Sequence, residues 1–402
     1  MTRVFVRLCT NIMACAGILC SGAAQSGTVN ILYCFGGYGD GTTPYAGMIG
    51  VKNVIYGTTY YGGTGKCSSD FGNNCGIIFS FDPATKKERV IYSFQGGADG
   101  ELPASRLTYL NGLLYGTTAQ GGSGSCSTSF GSGCGTVFSF DPVTGAEKVL
   151  YTFSDLSGGA YPYNAVVVPS YGSTDLYGTT TLGGSGNCEQ GCGIVFKVSL
   201  SKGTETLVHS FQNDGKDGMY PGSAGWALYK GKLYGTTNQG GAYGYGTIYS
   251  IDPGTGAERV VHAFGKGKDG ASPLGGMTSL GNMLYGTTSN GGGRGYGTVF
   301  SLDPATGDEK VLISFSGKDG GFPVTDLIQA KKRLYGTTVD PNEQGTVFSV
   351  NPRTGSEIDY GNIGGTENPY ENTQLTQAAG LYGTATESES CFYSGAIYSV
   401  TR

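Results

Sequence analysis

The chain has two histidines and one tryptophan in 402 residues, and only 14% of those residues are charged. Each scarcity excludes something. With only His209 and His262, a metal centre or acid–base site built on histidine alone is hard to assemble. Both stand where other copies of the same segment carry Tyr, as in Leu-Val-His-Ser-Phe against Val-Leu-Tyr-Thr-Phe, so they read as aromatic substitutes on a strand. No Gly-x-Gly-x-x-Gly follows a strand and opens a helix, and no Gly-x-Ser-x-Gly elbow stands in an α/β setting, which removes dinucleotide and α/β-hydrolase chemistry. Low charge beside 28 Tyr and 74 Gly favours pleated, half-buried surface over exposed helices. After residue 24 no apolar run is long enough to span a bilayer.

The first residues differ from all that follow. Arg3 and Arg7 precede an apolar run from Leu8 to Cys20, and Gly22, Ala23 and Ala24 come next, the pattern of a secretory signal peptide over 1–24 cut after Ala24. A lipoprotein cut before Cys15 or Cys20 is the weaker alternative, because Leu19 is a poor residue before a lipidated Cys. The remaining chain holds 23 basic and 30 acidic residues, a charge near −7 that disfavours nucleic acid or an anionic membrane as partner. The expected location is secreted, periplasmic or cell-surface.

What the chain has in abundance is repetition. Leu-Tyr-Gly-Thr-Thr or a close variant recurs at Tyr56, Tyr115, Tyr177, Tyr234, Tyr285, Tyr335 and Tyr382, spaced 47 to 62 residues apart. Such a period is one supersecondary unit that buries its apolar face only by stacking on its neighbours. Within each unit a first segment opens at Pro44, Pro103, Pro162, Pro221, Pro273, Pro323 or Pro369, and a third opens at Gly76, Gly135, Gly193, Gly246, Gly297, Gly345 or Gly395. Asn111-Gly112 and Asp141-Pro142-Val143-Thr144-Gly145 mark the turns of the second unit. Seven four-stranded antiparallel units of this length predict an all-β, seven-bladed β-propeller over 25–402. The glycine inside the signature strand, Gly116 and its equivalents, is expected where the next blade approaches closely. A fourth-strand copy at Ile31 to Phe35 precedes any first strand, and the chain stops after a third strand at Val400. The N-terminal strand should therefore complete the last blade and leave no open edge.

Three cysteines lie in the leader. Of the other eight, six are near neighbours in the Gly-rich loops, predicting disulfides Cys67 to Cys75, Cys126 to Cys134 and Cys188 to Cys192. Zinc is the rival, but it wants four ligands and histidine is scarce. Cys34 on the closing strand and Cys391 near its partner strand are expected to staple the ring.

Two features could carry function. The Asp-Gly pairs at Asp40, Asp99, Asp217, Asp269 and Asp319 could set carboxylates at one depth around the ring and hold a structural or central cation. Their bland reading, the one favoured, is that each Asp hydrogen-bonds its own turn. The Gly-rich loops vary most between units and carry Tyr60, Tyr61, Phe71, Phe130, Tyr243, Tyr245, Tyr296, Phe392 and Tyr393. These rings could line a surface for a glycan, a peptide or a protein, or merely cover the loops. Trp226 is expected to be packed.

Together the Leu-Tyr-Gly-Thr-Thr, Gly-Thr-Val-Phe-Ser, Asp-Pro-x-Thr-Gly-x-Glu and Asp-Gly-x-x-Pro phrases, from Val29 to Val400, resemble the tandem repeat of bacterial exported GloVer (Gloeobacter/Verrucomicrobia) proteins. That resemblance implies a secreted or surface propeller of unassigned role and supplies no catalytic residues. Kelch propellers share the Gly-Gly and the period, but their Trp is missing. The expectation is an exported, monomeric binding module without a cofactor; the alternative is a lyase or hydrolase using a central cation.

Overall fold

The computed structural model describes residues 27–36, 39–69, 72–128, 131–170, 172–222, 225–265, 267–339, 345–363, 374–386, 388, 391 and 394–401. The predicted leader over 1–24 lies outside them, as do Phe71, Phe130, Phe392 and Tyr393. Seven small antiparallel sheets follow one another around a ring, and the described residues contain no α-helix. Blade 1 runs from an innermost strand Ile49–Val51 through Val54–Thr59 and Ile77–Asp82 to an outer strand Lys87–Ser93. Blades 2, 4, 5 and 6 repeat that order.

Blade 3 departs from it. Its sheet has three strands, Asp175–Thr180, Ile194–Ser199 and Glu205–Ser210. The innermost segment contributes one isolated bridge, Val167 to Tyr177. The cause is in the sequence: Pro169 stands where blade 2 has Leu110, removing a backbone donor, and the following turn is longer than Asn111-Gly112.

The N-terminal strand closes the ring as expected. Thr28–Cys34 pairs antiparallel with Ala396–Thr401, from Thr28 opposite Thr401 to Cys34 opposite Ala396. All four predicted disulfides form, and Cys34 and Cys391 stand 5.2 Å apart at Cα across 357 residues of chain. Closing a loop of about eight residues contributes about 2.5 kcal/mol in the chain-entropy account.

Blades are held to each other by aromatic rings. In six of the seven blades the Phe that ends the outer strand packs edge-on against the third-strand ring of the next blade: Phe35 on Phe79, Phe94 on Phe138, Phe153 on Phe196, Phe211 on Tyr249, Phe264 on Phe300 and Phe315 on Phe348; blade 6 has Ile363 at that place, in one cluster with Tyr398. The centroids of the six ring pairs are 5.0 to 5.3 Å apart. Such pairs contribute about 0.5–1.5 kcal/mol each beyond the area they bury.

The signature glycine has a different cause from the one expected. Gly116 pairs in register with Phe138 of its own blade. A Cβ there would sit 2.6 Å from Phe138 Cζ and 2.9 Å from Leu107 Cδ2. The glycine makes room for the blade's own third-strand ring, which then reaches the preceding blade.

Candidate functional site

Each Asp-Gly carboxylate is anchored twice. Asp99 accepts from the Tyr92 hydroxyl at 2.7 Å and from Gln95 N at 2.6 Å. Asp40 does the same with Tyr33 and Gly36, and also accepts from Gly41 N. Asp319 holds Ser316 N and its hydroxyl. On the outer strands of blades 3 and 4 histidine takes the tyrosine's place: His209 Nε2 lies 2.9 Å from Asp217, and His262 Nε2 lies 3.5 Å from Asp269. Both imidazoles pack edge-on against the following Phe211 and Phe264, as Tyr92 does against Phe94. The five carboxylates therefore belong to the ends of outer strands rather than to one central site.

A glutamate from the next blade's outer strand completes each of these seams, and sequence reasoning did not single it out. Tyr33 also donates to Glu88 at 3.3 Å. Ligand atoms of His209, Asp217 and Glu258, and of His262, Asp269 and Glu309, come within 4.8 Å of one another. Burial, with the nearby Asp carboxylates adding to it in most copies, pushes these glutamates up from the ordinary 4.5: Glu88, Glu205, Glu258 and Glu357 to about 7, Glu147 and Glu309 to about 8. A carboxyl group whose folded pKa is raised stabilises the fold below its unfolded pKa, and that contribution is lost as pH rises through the folded value. The melting temperature should therefore fall between pH 5 and pH 9, and Glu147→Gln should make the fall shallower. A pH series of thermal melts on both proteins checks this; equal slopes would show that the seam glutamates titrate without consequence.

The described loop aromatics, Tyr60, Tyr61, Tyr243, Tyr245 and Tyr296, fall into separate groups. Tyr60 lies in a cluster with Tyr61 at 4.9 Å and Tyr45 at 5.6 Å between centroids. Its hydroxyl meets that of Tyr163 at 3.3 Å. These four rings pack over Leu102, Ala104 and Ala119, and burial pushes the Tyr60 hydroxyl far up. Tyr243 and Tyr245 stand apart on blade 4, 63% and 40% exposed, with Tyr243 beside Gly265 just past an outer strand. Tyr296 packs on Phe322 at 5.5 Å.

A cavity of about 440 Å³ lies on the axis, lined by the innermost segments. Hydrogen bonds from Thr108 to Val166 O, Thr278 to Leu327 O and Thr376 to Met48 O tie neighbouring segments around it. At the loop end its lining alanines Ala46, Ala104 and Ala165 are buried at 3%, 4% and 8% exposure. At the other end Tyr109 and Leu228 are 39% and 41% exposed. The cavity thus opens toward the face of the tight turns, opposite the Gly-rich loops.

One position on this wall distinguishes the blades. Around the ring it is Gly47, Arg106, Ala165, Gly225, Gly276, Asp326 and Gln374, as fixed by the pairing of the next residue but one with the signature Tyr. Asp326 accepts from Gly225 N at 2.9 Å and Gly276 N at 2.6 Å. Desolvation raises its pKa against those two bonds and the pull of Arg106. Arg106 is pulled down by desolvation, with Asp326 offsetting part of it. Trp226 packs on Tyr249, as expected of it, and also lines the cavity. Sequence reasoning passed over Arg106, Asp326 and Gln374. The readable signal was two charges and an amide at a position otherwise Gly or Ala.

The fold and this axial site define a seven-bladed β-propeller with a pocket on its axis. Among solved structures it resembles an oligogalacturonate lyase in complex with manganese (TM-score 0.55, 12% identity, 94% of each chain covered). It also resembles a proposed 6-phosphogluconolactonase from Bacteroides uniformis (TM-score 0.51, 16% identity, 79% of this chain and 85% of that one). At such identities the likeness shows the fold alone. No curated protein matches the sequence. The model of the Gloeobacter/Verrucomicrobia repeat matches residues 17–228 and 225–402, and the chain belongs to that family.

Proposed function

We propose that this propeller is an exported binding module that holds a glycan or peptide group in its axial cavity. The observation that carries this is the axial position itself: segments that are near-copies elsewhere place seven residues there, four of them Gly or Ala and three polar and different. Four disulfides support export to an oxidising compartment. The Tyr60 cluster covers Ala104 at the cavity's closed end, so its role is to seal that end.

A cation-dependent lyase or hydrolase is the second reading, favoured by the two His–Asp–Glu trios. Their counterweight is that Tyr33–Asp40–Glu88 builds the same seam with a phenol that would have to lose its proton to bind a metal.

Ala165→Phe, which fills the cavity from a small wall residue, is expected to abolish binding of any glycan or peptide that an array selects, with the melting temperature held within a few degrees. Binding that survives it refutes the axial site. A stoichiometric divalent ion in the purified protein, lost together with a measurable bond-cleaving activity on His262→Phe, would establish the enzyme instead.

A further inference from the structure

We infer that the axial cavity takes a small carboxylate that also carries hydroxyl or amino donors, with its carboxylate on Arg106. This rests on the axial cavity being the ligand site. A guanidinium has five N–H donors in a planar fork. The hydrogen bond that Arg106 makes among the described residues is one long contact, 3.4 Å to Thr376 Oγ1. Asp326 does not neutralise it directly. Both its oxygens are engaged by the backbone of Gly225 and Gly276, and no ion pair within 4.0 Å joins it to Arg106 among the described residues. Arg106 is half-buried in the cavity wall, and a bidentate carboxylate is the geometry a guanidinium fits best.

The rest of the wall narrows the class. Gln374 is 5% exposed and lines the same cavity, adding an amide that can meet a ligand hydroxyl. Trp226, Met277 and Leu327 supply an apolar flank. One Arg with one fixed Asp suits a single negative charge and repels a second. The volume, about 440 Å³, falls in the lower part of the ~300–1,000 Å³ range of small-ligand sites. A sugar acid and an amino acid share this chemistry.

Calorimetric titration of the protein with D-glucuronate, L-serine and D-glucose tests it. One of the two carboxylates is expected to bind at one site per chain, about tenfold or more tighter than D-glucose, and which of them binds identifies the source. Arg106→Gln should erase that preference, and Arg106→Lys should keep part of it. Gln374→Leu should weaken the same carboxylate while leaving acetate unchanged, which a general loss of folding would not do. If D-glucose binds as well as D-glucuronate, Arg106→Gln alters neither, and Ala165→Phe abolishes both, the carboxylate assignment is wrong and the axial site stands. No binding of either carboxylate at millimolar concentration to folded protein also overturns the assignment, and heat that persists in Ala165→Phe overturns the axial site.

Discussion

Removal of residues 27–36 is expected to lower the melting temperature by on the order of 10 °C and to make the protein self-associate. Three losses coincide in that segment. Thr28–Cys34 is the outer strand of the last blade, so Ala396–Thr401 becomes an unpaired edge. Cys34 takes with it the disulfide to Cys391, whose loop is long enough to stand at the upper end of the usual contribution, about 4–5 kcal/mol. Phe35, 3% exposed, is the ring that reaches Phe79 of blade 1, and losing a buried Phe costs about 3–5 kcal/mol. Thermal melts and gel filtration measure both effects. A truncated chain that melts with the parent and stays monodisperse would mean that the ring does not depend on its closing strand.

Phe196→Ala is expected to destabilise the protein by about 3–5 kcal/mol in chemical denaturation. Phe196 is fully buried and holds Phe153 of the preceding blade at 5.0 Å. It belongs to the blade whose innermost segment keeps only an isolated bridge, so neighbouring hydrogen bonds have least to offer in compensation. The same ring explains Gly178, where a Cβ would lie 2.5 Å from Phe196 Cζ. Gly178→Ala alone should cost about 1–3 kcal/mol by overpacking. Introduced into Phe196→Ala it should cost far less, because the ring it strikes is gone, and the double-mutant cycle reads that coupling directly. Additive costs would show that the glycine is needed for its backbone rather than for the ring.

The blades were legible because strand, turn and closing Phe are each written locally, and because Ile31 to Phe35 stands as a fourth strand without a first. The cysteine pairs were legible for the same reason: neighbours in sequence are neighbours in a short loop. What the sequence concealed is whatever depends on who faces whom across the ring. Glu147 reads as the polar end of an Asp-Pro turn, and only the ring brings it to Asp99 of the blade before. The glycine of the signature strand shows that something large is close, but not that Phe138 of its own sheet is the neighbour. Arg106 and Asp326 each stand three residues after their prolines and so align within the repeat, while Gln374 stands five after its own; the repeat does not tell that this position faces the axis, where the three meet one cavity. The loop aromatics were chosen for variability, and the described ones differ in their local packing between blades 1, 4 and 5.

The bond between Cys34 and Cys391 also changes how the molecule answers tension. A pull applied through residues 28 and 401, which face each other at one end of the antiparallel pair, first unzips Thr28–Cys34 from Ala396–Thr401, then meets a covalent stop. Every blade between residues 34 and 391 is shielded behind that stop, so its hydrogen bonds carry no load while the sulfurs remain joined. A protease cut in one exposed loop likewise leaves the fragments tethered as a single particle. Reduction therefore converts a mechanical and proteolytic ring into a chain that can be unwound blade by blade.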